Sequence, residues 1–452
     1  MDRFFHSVTL DRDRCVGCTN CIKRCPTQAI RVRGGKAQII SERCIDCGEC
    51  IRVCPHHAKK ANHDSLSMLE SYRYTVALPA PALYGQFNHL DDIDIVLNGL
   101  RALGFDEVFE VSRAAEIVSD ATRQLLGDGK LKKPVISSAC PAVVRLIRVR
   151  FPDLCDHVLQ LKSPMEVAAL MARREAAERS GLPPEEIGIF FISPCAAKVT
   201  DVRVPIGIER SNVDGVLAIS DVYPALVGKM NKLERVEPLA KSGIIGVSWS
   251  SIGGEAAGLL NENHLAADGI ENVIKVLEEL EDEKLQELDF IELNACAGGC
   301  VGGIFAAENG YVARARIQRL RKYLPVSCNR LQDAESGREL EWTELLEFAP
   351  VMKLAENVEE AMRLMQEIDR ISERLPQLDC GSCGAPTCRA LAEDIVRGNA
   401  QENDCIFRMR QQIQNIASQL SRLEGYVPGR ETAPGSENQD GSTERKAQAH
   451  DG

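Results

Sequence analysis

Cysteine is the residue that could do chemistry here, since the chain of 452 residues carries 18 of them. Eight stand in two copies of one short pattern: Cys15, Cys18, Cys21 and Cys25 before Pro26, then Cys44, Cys47, Cys50 and Cys54 before Pro55. Four more, Cys380, Cys383, Cys388 and Cys405, follow a C-x2-C-x4-C-x16-C spacing. Cys140, Cys195, Cys296 and Cys300 lie between, the last pair inside the glycine-rich stretch "IELNACAGGCVGG", residues 291–303. Grouped thiols at such spacings are metal ligands, whereas disulfide frameworks belong to oxidising compartments. Cys155 and Cys328 stand outside every group and are assigned no role, because free cysteine often serves as a small buried apolar side chain.

Both N-terminal copies read C-x2-C-x2-C-x3-C-P, the run of bacterial two-cluster ferredoxins, in which the fourth cysteine serves the other cluster. On that pattern Cys15, Cys18, Cys21 and Cys54 hold one 4Fe-4S cluster, and Cys44, Cys47, Cys50 and Cys25 hold the second. Pro26 and Pro55 end the ligand loops, and "AIRVRGGKAQII" between the copies reads as a hairpin around Gly34 and Gly35. A zinc ribbon is the minor alternative. The C-terminal array resembles the Fes domain of several redox proteins, which implies a further 4Fe-4S cluster. Spacing alone leaves a four-cysteine zinc site open there.

The elements that must position the middle cysteines follow from the apolar pattern. Residues 74–80, 107–112, 133–140, 187–195, 213–220 and 289–296 read as strands, and helical stretches separate most of them. One is "SPMEVAALMARREAAERS", with Ser163 as N-cap and Pro164 as first helical residue. That alternation implies an α/β fold with parallel sheets covered by helices. Three strands end in Cys140, Cys195 and Cys296, and ligands of open α/β sheets sit beyond the carboxyl ends of strands. These three and Cys300 therefore form one candidate site.

The segments "SSACPAVVRLIRVRFPDL", "ISPCAAK" and "IELNACAGGCVGG" resemble, in order, the three signature segments of the iron-only (FeFe) hydrogenases, roughly T-S-C-C-P, M-P-C-x-x-K and E-x-M-A-C-x-G-G-C-x-x-G-G. "LKSPMEVAALM" is similar to the family's K-S-P-Q-Q-M segment. The resemblance covers residues 1 to about 365 and implies a two-lobed α/β hydrogenase domain whose active site is an H-cluster. There a 4Fe-4S cubane joins a diiron unit bearing CO, cyanide and a dithiolate amine. It implies that Cys140, Cys195 and Cys296 bind the cubane and that Cys300 binds it and bridges to the diiron unit. Lys198 matches the lysine that contacts a cyanide. Gly298, Gly299, Gly302 and Gly303 would let the backbone approach the inorganic body closely.

The sequence departs from the family at three places. The proton-relaying first cysteine of T-S-C-C-P is Ala139, which has no exchangeable side-chain proton. The methionines before Pro-Cys and Ala-Cys are Ser193 and Asn294, polar groups whose hydrogen bonds would tune the centre. The family's acidic relay upstream has two available counterparts, Glu116 and Asp120, between which the sequence does not choose. Ligands kept and relay lost is the pattern of the family's divergent, sensory branch.

The remaining expectations are organisational. Residues 1–65 form the two-cluster ferredoxin domain, 66–365 the H-cluster domain, 366–408 the Fes-type domain, 409–424 a coiled-coil helix and 425–452 a polar disordered tail. Ile406, Met409, Ile413, Ile416, Leu420 and Leu423 make a 3-4-3-4-3 seam. That seam would pack on its own module, pair two copies as a homodimer, or dock a separate signalling protein. A net charge of −12 argues against a nucleic-acid surface. The opening "MDRFFHSVTLDRDRC" lacks an apolar signal core, and there is no apolar run of membrane-spanning length, so the expected place is the cytoplasm. The reading is a slow iron-only hydrogenase used for H2 or redox sensing, exchanging electrons with an external carrier such as ferredoxin. The alternative is a non-catalytic relative carrying only 4Fe-4S clusters, in electron transfer or iron–sulfur assembly.

Overall fold

The computed structural model describes residues 5–332, 334–351 and 353–424. The tail expected from residue 425 lies outside them. In chain order the strands are β1 (Val8–Leu10), β2 (Ile30–Arg33), β3 (Lys36–Ile39), β4 (Lys59–Ala61), β5 (Tyr74–Pro79), β6 (Glu107–Val108), β7 (Val135–Ile136), β8 (Ile187–Ser193), β9 (Gly215–Ala218), β10 (His264–Asp268) and β11 (Phe290–Asn294). The N-terminal module pairs β1 with β4 and β2 with β3, both antiparallel, and the second pair is the expected Gly34–Gly35 hairpin.

Two parallel sheets build the middle of the chain. One has the order β6-β5-β8-β9 and the other β10-β11-β7. All seven residues of β8 are buried, as befits a parallel strand covered on both faces and read from the sequence as a continuous apolar run. Helices Val111–Gly127 and Pro164–Ser180 pack on one face of the first sheet, and Ile93–Leu103 and Ile219–Met230 on the other. Helices Pro141–Arg150 and Ile270–Glu281 contribute the core of the second lobe. The two-lobed α/β architecture is as expected.

The strand expected over 107–112 shrinks to two residues, because Val111 already begins a helix whose apolar face is needed against the sheet. β10 was not foreseen. It is an edge strand of half-buried "HLAAD" without alternation, held by its parallel register with β11.

The C-terminal module starts earlier than residue 366. That boundary falls inside helix Val358–Arg374, whose Ile368 and Ile371 pack with Leu391 of helix Cys388–Val396. The module is fastened to the N-terminal one. Asp394 receives Arg31 at 2.7 Å and Arg33 at 2.6 Å, and Glu393 receives Arg43 at 2.6 Å. The Val32 N–H donates to the Gly384 carbonyl at 2.8 Å, and a Cβ on Gly384 would stand 1.9 Å from the Val32 oxygen. Helix Ile406–Glu424 then leaves the module with its seam uncovered, from Ile406 at 43% exposure to Leu423 at 67%. The seam therefore does not pack on its own module.

Candidate metal centre

Cys140 follows β7 and is the N-cap of helix Pro141–Arg150, while Cys195 follows β8 and is the N-cap of helix Ala196–Arg203. Cys296 follows β11, and Cys300 opens a single 3-10 turn, Cys300–Gly302. All four line one cavity of about 110 Å³. Two helix N-termini thus point partial positive charge at the place where thiolates would gather. Without a metal these thiols resist ionisation. Burial, then the neighbouring cysteine charges, push Cys296 up to about 12 and raise Cys195 and Cys300 as well. A bound cationic cluster inverts that balance, because metal-bound thiols are deprotonated outright. Four convergent sulfurs around one cavity, with only Lys198 and Arg52 as nearby cations acting on them, fit a cubane.

The glycines of 298–303 also serve the packing of the protein's own backbone. A Cβ on Gly303 would lie 2.2 Å from the Pro194 oxygen, one on Gly302 2.0 Å from the Ala297 oxygen, and one on Gly299 2.6 Å from the Ile252 nitrogen. Their bare backbones make room for other backbone, which locks the Cys296–Cys300 loop against the Cys195 turn and the Ser250–Ile252 segment. Gly298 sits at φ +83°, and its N–H donates to Asp268 at the end of β10. That contact had no local sequence signal.

The N-terminal cysteines gather crosswise. Cys15, Cys18, Cys21 and Cys54 line one small cavity, and Cys25, Cys44, Cys47 and Cys50 line another. Cys47 also lines the central cavity, so the second set is the inner one. Asp46 beside it accepts the Ser7 and Val8 N–H groups, each at 3.0 Å, and the Thr200 hydroxyl at 2.7 Å, joining this loop to the helix that starts after Cys195. Arg52 reaches the Gly302 carbonyl at 3.0 Å. In the C-terminal module burial, then the charges of Cys405 and Cys380, raise the Cys383 thiol.

Three family models match the segments that hold these cysteines. The family model for the iron-only hydrogenase large subunit, C-terminal domain, matches residues 73–261 and 252–304, half of the chain. The chain belongs to the iron-only hydrogenase family. A 4Fe-4S dicluster domain matches residues 7–55 and an Fe-S cluster family residues 375–407, which favours iron–sulfur over zinc in both flanking modules. Iron hydrogenase 1 of Clostridium pasteurianum is 24% identical over 384 residues, covering 67% of this chain and 65% of that protein. The NADP-reducing hydrogenase subunit HndD of Solidesulfovibrio fructosivorans is 32% identical over 142 residues, 29% of this chain and 24% of that protein. The cytosolic Fe-S cluster assembly factor nar1 of Aspergillus flavus is 27% identical over 112 residues, 25% of this chain and 19% of its own length. The chain thus spans less than two thirds of each of these relatives. An [FeFe]-hydrogenase structure from Chlamydomonas reinhardtii superposes with a TM-score of 0.46 at 18% identity, covering 59% of this chain and 88% of that one.

Within this hydrogenase-family site the other expected residues divide. Lys198 lines the cavity, its ammonium 3.0 Å from the Ser163 hydroxyl and 3.1 Å from Asp201. Burial would lower its pKa, but the Asp201 charge prevails and raises it. Asn294 also lines the cavity, with its amide on Glu292 at 2.9 Å and its carbonyl 4.0 Å from the Cys300 sulfur. Ser193 does not reach the centre. It is fully buried, and its hydroxyl is spent on Cys195, accepting that N–H at 3.0 Å and donating to that carbonyl at 3.1 Å. It shapes the cysteine turn and supplies no hydrogen bond to a cluster.

Neither expected relay acid reaches the cavity. Glu116 is saturated by the backbone N–H groups of Gly243, Cys328 and Asn329 and by the Asn329 amide. Asp120 is held by Arg123 and the Leu331 N–H. Both pin the 243–331 segment. The acids at the cavity are Glu255 and Glu292. Burial, then the neighbouring Glu292 charge, raise Glu255 well above the usual carboxylate range, and burial raises Glu292 too. Glu292 was visible in the third signature; Glu255, in "GGEAAG", carries no motif.

Proposed function

We propose that this chain interconverts H2 with protons and electrons at an H-cluster, slowly, and that it serves in the cytoplasm as an H2 or redox sensor. The observation that supports this is the extent of the central cavity. It runs beyond the four cysteines to a second wall that includes Ala82, Val111, Ala115 and Phe191. A bare cubane on the cysteines would leave that space without an occupant. On this reading Cys140, Cys195, Cys296 and Cys300 hold the cubane, and Cys300 also carries the diiron unit, which supplies the H2-activating chemistry. Lys198 keeps its charge through Asp201 and offers it to an anionic ligand in the cavity. The apolar wall excludes water. Glu255, hydrogen-bonded to Ser137, stores the proton that Ala139 cannot pass, and Glu292 exchanges with it. One carboxyl pair in a poorly solvated site holds a proton well and releases it slowly, in keeping with a low-flux role.

Electrons would pass between the centre and an external carrier such as ferredoxin by way of the N-terminal cysteine sets. Among the described residues no helix is long and apolar enough to cross a membrane. The uncovered seam of helix Ile406–Glu424 would pair with a second copy or a separate signalling partner.

The test is infrared spectroscopy on anaerobically purified protein, reconstituted with iron and sulfide and given a synthetic diiron precursor. CO and cyanide bands displaced from those of the free precursor and responsive to H2 are the expected result. Uptake of four cubanes with the precursor left unbound would replace this reading with electron transfer or iron–sulfur assembly.

A further inference from the structure

Lys59 is 2% exposed, and its ammonium has no hydrogen-bond partner among the described residues. An unpaired buried ammonium is costly unless an anion meets it. It lines the cavity of Cys15, Cys18, Cys21 and Cys54. Its charge partly offsets the burial that lifts Cys21 to about 11, and it reaches Cys50 of the other set as well.

The internal repeat supplies the comparison. Cys25 and Cys54 are equivalent, the Ala29 N–H donating to Cys25 Sγ at 3.2 Å and the Ala58 N–H to Cys54 Sγ at 3.3 Å. The next residue is Ile30 in the first copy, buried and lining the cavity of Cys25, Cys44, Cys47 and Cys50. In the second copy it is Lys59. Lys59 therefore lines the cavity of one cysteine set directly, while the equivalent wall of the other is apolar and that set feels the charge at Cys50 from beyond its own cavity.

We propose that Lys59 is a potential-setting residue, making the cluster on Cys15, Cys18, Cys21 and Cys54 easier to reduce than the one on Cys25, Cys44, Cys47 and Cys50. A 4Fe-4S unit on four thiolates is an anion and becomes more negative by one charge on one-electron reduction. A fixed buried cation favours the more negative form, and low local dielectric magnifies the effect. The exchange is one electron from the reduced inner cluster to the oxidised outer one, with no bond or proton moved. A low-potential one-electron donor supplies the electron. Because the inner set touches the central cavity, the gradient draws electrons outward, as a reporter of H2 uptake needs. That direction rests on the function proposed above; the difference in potential does not.

The test is an EPR-monitored redox titration of the full chain reconstituted with iron and sulfide alone, with dithionite as reductant. The outer cluster's signal is assigned by its loss in Cys18→Ala. Lys59→Met and Lys59→Gln should lower the outer potential so that its reduced-to-oxidised ratio at a fixed potential falls at least about tenfold, roughly 59 mV for one electron. Lys59→Arg, which keeps the charge, should hold it. Unchanged potentials in both neutral variants, or an equal fall in Lys59→Arg, would overturn the proposal. Loss of the cluster from both neutral variants alone would overturn it too, by making Lys59 a retention residue. Omitting the diiron precursor keeps the result independent of the H-cluster reading.

Discussion

The Ser137 hydroxyl stands 2.8 and 2.7 Å from the two carboxyl oxygens of Glu255 and also accepts the Ala139 N–H at 3.1 Å. A hydroxyl has one proton to give and two lone pairs to fill. It donates to both oxygens in a three-centre bond, which by itself favours the ionised carboxylate. Burial and the Glu292 charge outweigh that bond and raise Glu255 well above the usual carboxylate range, which favours its protonated form.

That proton makes a testable contribution to stability. A carboxyl whose folded-state pKa is raised binds more protons folded than unfolded between the two values. Its contribution is complete below the ordinary value of 4.5 and is lost as pH rises through the raised one. Glu255→Gln, neutral at every pH, should flatten the decline in melting temperature toward alkaline pH, measured on protein loaded with its cubanes. It should also remove a carboxylic C=O stretch from the infrared spectrum at neutral pH. An unchanged slope with the band retained would show that Glu255 is ionised.

Gly303 tests what the glycines do. Its missing Cβ clears the Pro194 carbonyl by sub-contact distance, and neither backbone can yield without moving Cys195 or Cys300. Gly303→Ala should lose the central cubane while the flanking modules keep theirs, read as a fall of one cluster's iron with the ferredoxin EPR signals intact. Strain of this kind falls in the range of about 1–3 kcal/mol for overpacking, enough to disorder a loop. Retention of the full iron content would mean that the loop has slack.

What was legible in the chain was what short-range pattern encodes. The crosswise gathering of Cys25 with Cys44, Cys47 and Cys50 followed from a local repeat, and β5 and β8 from long apolar runs. Convergence of Cys140, Cys195 and Cys296 followed from strands that end in cysteine. Contacts between distant segments left no such mark. Glu255 and Glu292 are 37 positions apart and meet only because helix Gly254–Gly258 packs on β11. Glu116 lay close enough to the first signature to suggest a relay, yet its partners lie more than 120 residues away, at Gly243, Cys328 and Asn329. Ser193 stands where the family has a methionine, and its short hydroxyl finds the nearest backbone, at Cys195, before it can reach the centre.

The seam of helix Ile406–Glu424 carries the last prediction. Ile406, Ile413 and Leu420 take alternate core positions with Met409, Ile416 and Leu423, and from Met409 onward all of these are 45% to 67% exposed. Of the flanking residues Gln412, Ala417 and Gln419 are uncharged, and Arg410 and Glu424, near the two ends, differ in sign. Paired copies therefore meet without like-charge repulsion, and no charge pattern selects a different helix. Cys405 immediately precedes the helix, and the Met409 N–H donates to its carbonyl at 2.9 Å. The cluster module and the seam are thus mechanically continuous. Full-length protein should sediment as a dimer at micromolar concentration, and Ile413→Asp with Ile416→Asp should make it a monomer with unchanged iron content. Each aspartate would set a charge in an apolar seam, at a cost of several kcal/mol per site. A dimer that survives both changes uses another surface. A wild-type monomer leaves the seam to a different protein and moves the output of this chain to a partner.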